Sequence, residues 1–324
     1  MNGQLSNSLA PLGTSGNRII NLTTGQPILL RGVNRSGLEY CGPDEQGFLS
    51  GASVSRAEIQ FIVHDWRANI IRLPFNQDFV LRGRLGHSAE EYQKAIDQVI
   101  FWASQAGAYT LLDLQWLDAD RIYGGDRNFV APLPNSDSLQ LWTTLASRYK
   151  EEPAVLYDLF NEPHDRLPND PYPLNKPDGS TFPPAQMSVT MREWQPWARA
   201  LTQAIREQTP DALVFIAGTN WAYDLRGMPI DLDNVVYSTH VYPNKGTNWP
   251  QAFGNLAVSF PVFVGEFGGS DAPVDLVYVR NLVDYIQQLE IGFTAWSWSN
   301  DPFLVTRYAP TAFGQIVRQI LSNH

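Results

Sequence analysis

The chain has 324 residues, with 33 acidic against 23 basic side chains, one cysteine and five histidines. A net charge of −10 argues against nucleic acid and against an anionic membrane surface as partners, because both are gripped mainly by Lys and Arg. The lone Cys41 excludes a disulfide within the chain and a thiolate zinc site, and no apolar run approaches the ~18 residues of a bilayer-spanning helix.

The elements follow in chain order. Arg18 to Gln26 carries a Thr24-Gly25 turn between two apolar runs, which predicts a β-hairpin over about 18–30 ahead of a first strand, Ile28 to Val33. Ser55 with Glu58 reads as a capping box opening a helix through Ile59, Ile62, Val63 and Trp66. A second strand, Ile70 to Leu73, precedes another capping box, Ser88 with Glu91, and its helix. The strand Tyr109 to Leu114, the helix Leu139 to Tyr149 and the strand Val155 to Phe160 come next. The proline-rich stretch Asp165 to Gln186 reads as a long loop between that fourth strand and its helix, Val189 to Gln208, with a domain linker as the alternative. Leu213 to Ala217, Val235 to Thr239, Pro261 to Gly265 and Gly292 to Trp296 complete eight strands, and Val274 to Leu289 and Ala312 to Leu321 read as helices. The fifth and sixth crossovers have no clear helix limits. The strands lack polar alternation, as strands buried on both faces do. Eight of them alternating with helices predict α/β architecture: a single-domain (β/α)₈ TIM barrel spanning 1–324. No internal repeat or linker is visible.

The apolar strands end in polar residues, at the end of a barrel where catalytic side chains sit. In order these are Asn34, Arg72, Asp113 with Gln115, Asn161 with Glu162, Asn220 with Trp221, His240 with Tyr242, Glu266, and Trp296 with Trp298. Glu162 and Glu266 close strands four and seven, which lie on opposite sides of an eight-stranded ring. Two carboxylates facing each other across the mouth are what glycosidic cleavage requires: one protonates the leaving oxygen, the other attacks or activates water. Arg72 and Tyr242 are suitable donors to keep Glu266 ionised. Each residue also has a plainer reading: Arg72 paired with Asp113, His240 satisfied in the core, Trp296 as barrel packing. The low charged fraction of 17% and the ten Trp, 13 Tyr and 16 Phe suit a neutral substrate with flat apolar faces.

Ile71-Arg72-Leu73-Pro74-Phe75, Phe160-Asn161-Glu162-Pro163, His240-Val241-Tyr242, Gly265-Glu266-Phe267-Gly268 and Ala295-Trp296-Ser297-Trp298 resemble glycoside hydrolase family 5, the cellulase-type family of retaining (β/α)₈ glycosidases. The resemblance runs from about Arg31 to Asp301. It implies Glu162 as general acid/base and Glu266 as nucleophile, with Arg72 and Tyr242 donating to Glu266. It further implies Asn161 on the sugar 2-hydroxyl, His240 beside Glu162 and Trp296 as the floor of the −1 subsite. It implies an endo-β-1,4-glucanase acting by double displacement, with a β-mannanase or an exo-acting β-glucosidase as alternatives within the family.

One position departs from the pattern. A histidine commonly follows the third strand as Asp-x-His, whereas Asp113-Leu114-Gln115-Trp116 places Gln115 there. Gln can hydrogen-bond a hydroxyl but cannot titrate. Of Trp116, Trp221, Trp249 and Trp298, two are expected to stack on sugar rings, and Glu39, Tyr40 and His164 are further candidates in loops on the same face. A non-catalytic carbohydrate-binding barrel and, from Gly265, Gly268 and Gly269, a phosphate-binding barrel are the readings from other classes. No cofactor is expected, and no metal, because the histidines lack ligand spacing. The expected partner is a β-linked polysaccharide or oligosaccharide, bound by a monomer that works outside the cell. No signal peptide is read at the N-terminus. The Asn21-Leu22-Thr23 and Asn34-Arg35-Ser36 sequons matter only in a glycosylating host.

Overall fold

The computed structural model describes residues 9–119 and 130–322. Eight parallel strands close into a barrel: β3 (Arg31–Asn34), β4 (Ile70–Asn76), β5 (Tyr109–Trp116), β6 (Val155–Asp158), β7 (Val214–Ala217), β8 (Val235–Val241), β9 (Val262–Phe267) and β10 (Gly292–Ala295). They stand in chain order around the ring, and β10 pairs with β3 to seal it. Every apolar run read as a strand is one. Seven of these strands are buried along their whole length, so no solvent-facing side imposed an alternating pattern.

The N-terminal hairpin is present but displaced. Its strands are β1 (Leu12–Ser15) and β2 (Arg18–Asn21), turning at Gly16, whose φ of 57° suits glycine. The Thr24-Gly25 segment makes a second reversal, in which Gly25 N–H donates to Asn21 O at 2.7 Å and Ile20 bridges Pro27. The apolar run that follows it feeds directly into β3 and does not form a hairpin arm. Leu12 and Ile19 pack onto Leu30, Ile70, Leu111, Phe215, Val236 and Phe263, so the hairpin stoppers the N-terminal end of the barrel.

Along the barrel axis the interior changes character. The lower layer is apolar, with the Phe215 and Phe263 rings meeting edge-on at 5.2 Å. Two residues further along their strands stand Arg72, Asp113, Asp158 and Ser238, all fully buried. Alternation would turn Glu266 outward with Val264. A bulge between β8 and β9, where Thr239 faces Val264 and His240 faces Glu266, resets the register and brings Glu266 inside.

The helices cover the outside where the spacing predicted them: Arg56–His64, Ala89–Ala106, Ser136–Tyr149, Met191–Arg206, Pro273–Gln288 and Ala312–Ser322. Ser88 and Glu91 form a complete capping box. The Ser55 box is only half made, because Ser55 accepts from Glu58 N–H while the Glu58 carboxylate pairs with Arg35 at 2.6 Å. The fifth crossover, residues 218–234, is built of turns and isolated bridges, and the sixth holds a short 3-10 turn at Pro243–Lys245 and a helical segment, π over Pro250–Gly254 and α over Asn255–Ala257. β11 (Val305–Thr306) and β12 (Ala309–Pro310) form a small ribbon after the barrel. Among the described residues no helix is long and apolar enough to cross a membrane.

Candidate active site

The C-terminal strand ends surround a cleft of about 820 Å³. Arg72 is the hub beneath it. Its Nη1 donates to Glu266 Oε1 at 2.8 Å and to Asn34 Oδ1 at 2.9 Å, its Nε to Asp158 Oδ2 at 2.9 Å, and its Nη2 to Asn161 Oδ1 at 2.9 Å. Nη2 also lies 2.9 Å from Asp113 Oδ1. The pairing with Asp113 is therefore real and does not replace the one with Glu266. Asn34 donates its amide to the carbonyls of Gly265 and Thr294, which fixes β3 against β9 and β10 and closes that sequon to modification in the folded chain.

Glu266 is clamped on its other side by the Tyr242 hydroxyl, which donates to Oε2 at 2.8 Å. His240 Nδ1 sits 2.9 Å from Glu162 Oε1 and 3.7 Å from Glu266 Oε2. One oxygen of each glutamate and one His240 nitrogen all lie within 4.8 Å of one another. That donor set has the reach to hold a cation, but the Arg72 guanidinium already supplies positive charge at Glu266. The two carboxylates face one another across the mouth, with the Glu162 side chain 20% exposed and that of Glu266 5% exposed.

Their electrostatics differ. Burial drives the Glu162 carboxyl up to about 7, with Arg72 and Lys245 opposing more weakly. Burial also raises Glu266, but His240, Arg72 and the Tyr242 hydroxyl pull it back toward the charged form. Two direct donors at 2.8 Å favour the charge on Glu266. Among the described residues the side-chain hydrogen-bond partner of Glu162 is the His240 imidazole, which burial pushes down to about 4 and so keeps neutral at pH 7. The donor arrangement thus favours the charge on Glu266 and the proton on Glu162. Asp113 is raised strongly by burial and Asp158 is raised too, both against the pull of Arg72.

The sequence-predicted residues converge here. Gln115, Trp116, Asn161, Tyr242 and Trp296 line the cleft beside the two glutamates, while Asn34, Arg72 and His240 lie directly beneath. Gln115 Oε1 is buried and has no hydrogen-bond partner. Trp221 lines the cleft, its ring stacked on His164 at 3.6 Å and 11°. Trp249 and Trp298 do not: the first packs against Tyr278 and Tyr285, and the second donates to Glu58 at 3.1 Å and meets Trp66 edge-on. Of the three loop candidates, His164 lines the cleft. Tyr40 supports Trp116 at 5.9 Å, and Glu39 is buried on Ser36 and the Gly37 N–H. Gly268 and Gly269 share the cleft with Asp275 and Asp301, whose carboxylates disfavour phosphate.

Among the described lining residues none comes from the 165–186 loop. Of the 116–137 loop, Trp116, Val130 and Ala131 contribute, and residues 120–129 lie outside the described residues. Two site members escaped the sequence reading. Asp158 is a charged residue inside an apolar strand, a signal that was present in Val155-Leu-Tyr-Asp158. Lys245 lines the cleft from the turn after β8, where nothing in the local pattern marks it.

Comparison with known proteins identifies the family. The chain is 25% identical over 306 residues to Endoglucanase MaCel5A of Microbulbifer sp. (strain ALW1), covering 90% of this chain and 51% of that protein. It is 22% identical to Endoglucanase E-5 of Thermobifida fusca over 86% of this chain and 53% of that protein. It thus spans about half the length of these curated relatives. The solved β-glucanase SdGluc5_26A from Saccharophagus degradans superposes with a TM-score of 0.74 at 22% identity, covering 97% of this chain and 93% of that one. The profile of the family Cellulase (glycosyl hydrolase family 5) matches residues 23–302. With most of its length matched by that profile, the chain belongs to the cellulase family, glycosyl hydrolase family 5.

Proposed function

We propose that the chain is a retaining β-glycoside hydrolase, an endo-β-1,4-glucanase in which Glu266 is the nucleophile and Glu162 the general acid/base. The observation that carries this is the spacing of the pair, an oxygen of each within 4.8 Å. Retaining enzymes hold their carboxyl groups about 5–5.5 Å apart, whereas inverting ones leave about 6.5–9.5 Å for a water. Glu266, ionised by Arg72 and Tyr242, attacks the anomeric carbon as Glu162 gives its proton to the glycosidic oxygen. The leaving sugar departs, and a covalent glycosyl ester remains on Glu266. Glu162, now anionic, takes a proton from water, which attacks the same carbon and frees Glu266. Neutral His240, with its Nδ1 2.9 Å from Glu162 Oε1, accepts from the protonated Glu162 carboxyl and holds it toward the cleft.

Several features favour a neutral β-glucan. Trp116 and Trp221 offer ring faces and Gln115 an open acceptor. Among solved relatives, SdGluc5_26A was captured with cellotetraose. A polymer substrate fits action outside the cell. The product anomer tests the reading: proton NMR of cellotetraose hydrolysis is expected to show the β-anomer first, with α appearing only by mutarotation. Initial release of the α-anomer overturns it.

The pH dependence follows from the same pair. Glu162 must be protonated in the free enzyme, so kcat/KM is expected to fall above a limb near pH 7, set by the raised Glu162 carboxyl. A basic limb below pH 5 in a rate profile contradicts the assignment of the acid.

A further inference from the structure

The loop after β7 contains an unusual backbone. Asn220, Trp221 and Ala222 are consecutive non-glycine residues with φ of 55°, 61° and 58°. L-residues resist this left-handed region, and a run of three survives only where surrounding contacts hold it. Some of those contacts are visible. Gly218 bridges Ala222, Thr219 bridges Asp224, and Trp221 N–H donates to Pro163 O at 3.0 Å. A further one is polar and comes from another loop: Lys245 Nζ donates to Asn220 O at 2.9 Å and to Asn220 Oδ1 at 3.1 Å. The strained turn is thus tied to the β8 segment at two points, by the Lys245 ammonium at Asn220 and by the His240 N–H, which donates to Ala222 O at 3.4 Å.

That turn adjoins the acid/base. Pro163, which accepts from Trp221, follows Glu162 directly. His164, which stacks under the Trp221 ring, has its Nδ1 2.7 Å from Glu162 O. Lys245 is half-buried and lines the same cleft. The charged and titratable groups around Glu162 are Arg72 from β4, His240 from β8, Tyr242 just after it, Glu266 from β9, His164 from its own loop, and Lys245. Lys245 in turn faces Glu162, the Asn220 amide and the Tyr223 ring at 5.9 Å.

We propose that Lys245 is a positioning residue for departure of the leaving sugar: it clamps the left-handed turn that carries Trp221 and places a positive charge beside Glu162. The inference rests on Glu162 being the acid, and it goes further by making one lysine couple the shape of the leaving-group side to proton transfer. As a cation, Lys245 favours ionised Glu162, so its removal makes the proton harder to lose.

The test compares Lys245→Met, Lys245→Arg and the wild type on cellotetraose and on 2,4-dinitrophenyl β-cellobioside, whose leaving group is not a sugar and departs without a proton. In Lys245→Met the loss in kcat/KM on cellotetraose is expected to exceed the loss on the aryl glycoside by about tenfold, the scale of a lost charge-assisted hydrogen bond. The basic limb on cellotetraose is expected to move to higher pH, and Lys245→Arg, which keeps the charge, to restore it. Equal losses on the two substrates, or a limb that stays in place, overturn the proposal. Wild-type protein that cleaves neither compound brings down the glycosidase reading itself. Wild-type cleavage with an unresponsive Lys245→Met overturns only this inference.

Discussion

Glu266→Ala is expected to lower kcat by the order of 10⁵–10⁶-fold, the scale seen when a covalent nucleophile is removed. The reason is geometric. Arg72 and Tyr242 orient both Glu266 oxygens at 2.8 Å, and among the described cleft residues no other carboxylate is held between an arginine and a tyrosine. Azide provides a sharper readout than the loss alone. In the emptied Glu266→Ala cleft, azide attacks the anomeric carbon from the vacated side and yields the α-glycosyl azide. In Glu162→Ala the ester still forms on activated substrates, and azide replaces water in the second step to yield the β-glycosyl azide. The Glu162→Ala loss is expected to be about 10²–10⁴-fold, largest for poor leaving groups. Rescue products of the opposite configuration exchange the two roles, and no rescue in either variant argues against double displacement.

Arg72→Met is expected to destabilise the fold by about 3–5 kcal/mol, because it leaves Asp113, Asp158 and Glu266 buried without their shared cation. The deficit has a pH signature. Burial already raises these carboxyls, and without the guanidinium they rise further above their unfolded values. A carboxyl raised on folding binds more protons in the native state, so stability is lost as pH climbs from the unfolded value through the folded one. The gap between variant and wild type in urea unfolding is thus expected to be wide at pH 8 and to narrow toward pH 4. A gap of constant size across that range contradicts the account, as does a variant of wild-type stability. Activity in the same variant is expected to shift its acid limb upward, since Glu266 then holds a proton where it must be charged.

The barrel was legible because its strands are short apolar runs bounded by turn residues, and burial on both faces leaves that signature. The glutamate pair was legible for a related reason: a charged residue at the end of such a run has few places to be except the mouth. Asp158 was passed over because it lies inside its strand, where an acid reads as an irregularity until a partner from another strand is known. Lys245 depends on a left-handed turn 25 residues away in sequence, and no periodicity reports that. The hairpin shifted because two reversals, at Gly16 and at Gly25, compete for the same short segment, and register against the barrel floor decides between them. The Ser55 box was half right because Glu58 found a buried arginine more favourable than its own helix terminus.

The layering of the barrel interior has an evolutionary corollary. Leu111, Phe215, Val236 and Phe263 fill the lower storey, whereas Glu266 and its donors Arg72 and Tyr242 stand in the upper one. Selection can therefore rework the rim, exchanging loops and even the residue that meets a hydroxyl, without disturbing the foundation on which the chain collapses. Architecture then persists where the text has drifted: a solved β-glucanase sharing 22% of its residues superposes over 97% of this chain with a TM-score of 0.74. Gln115, where the pattern carries histidine, marks the sort of position at which such tinkering is free to proceed.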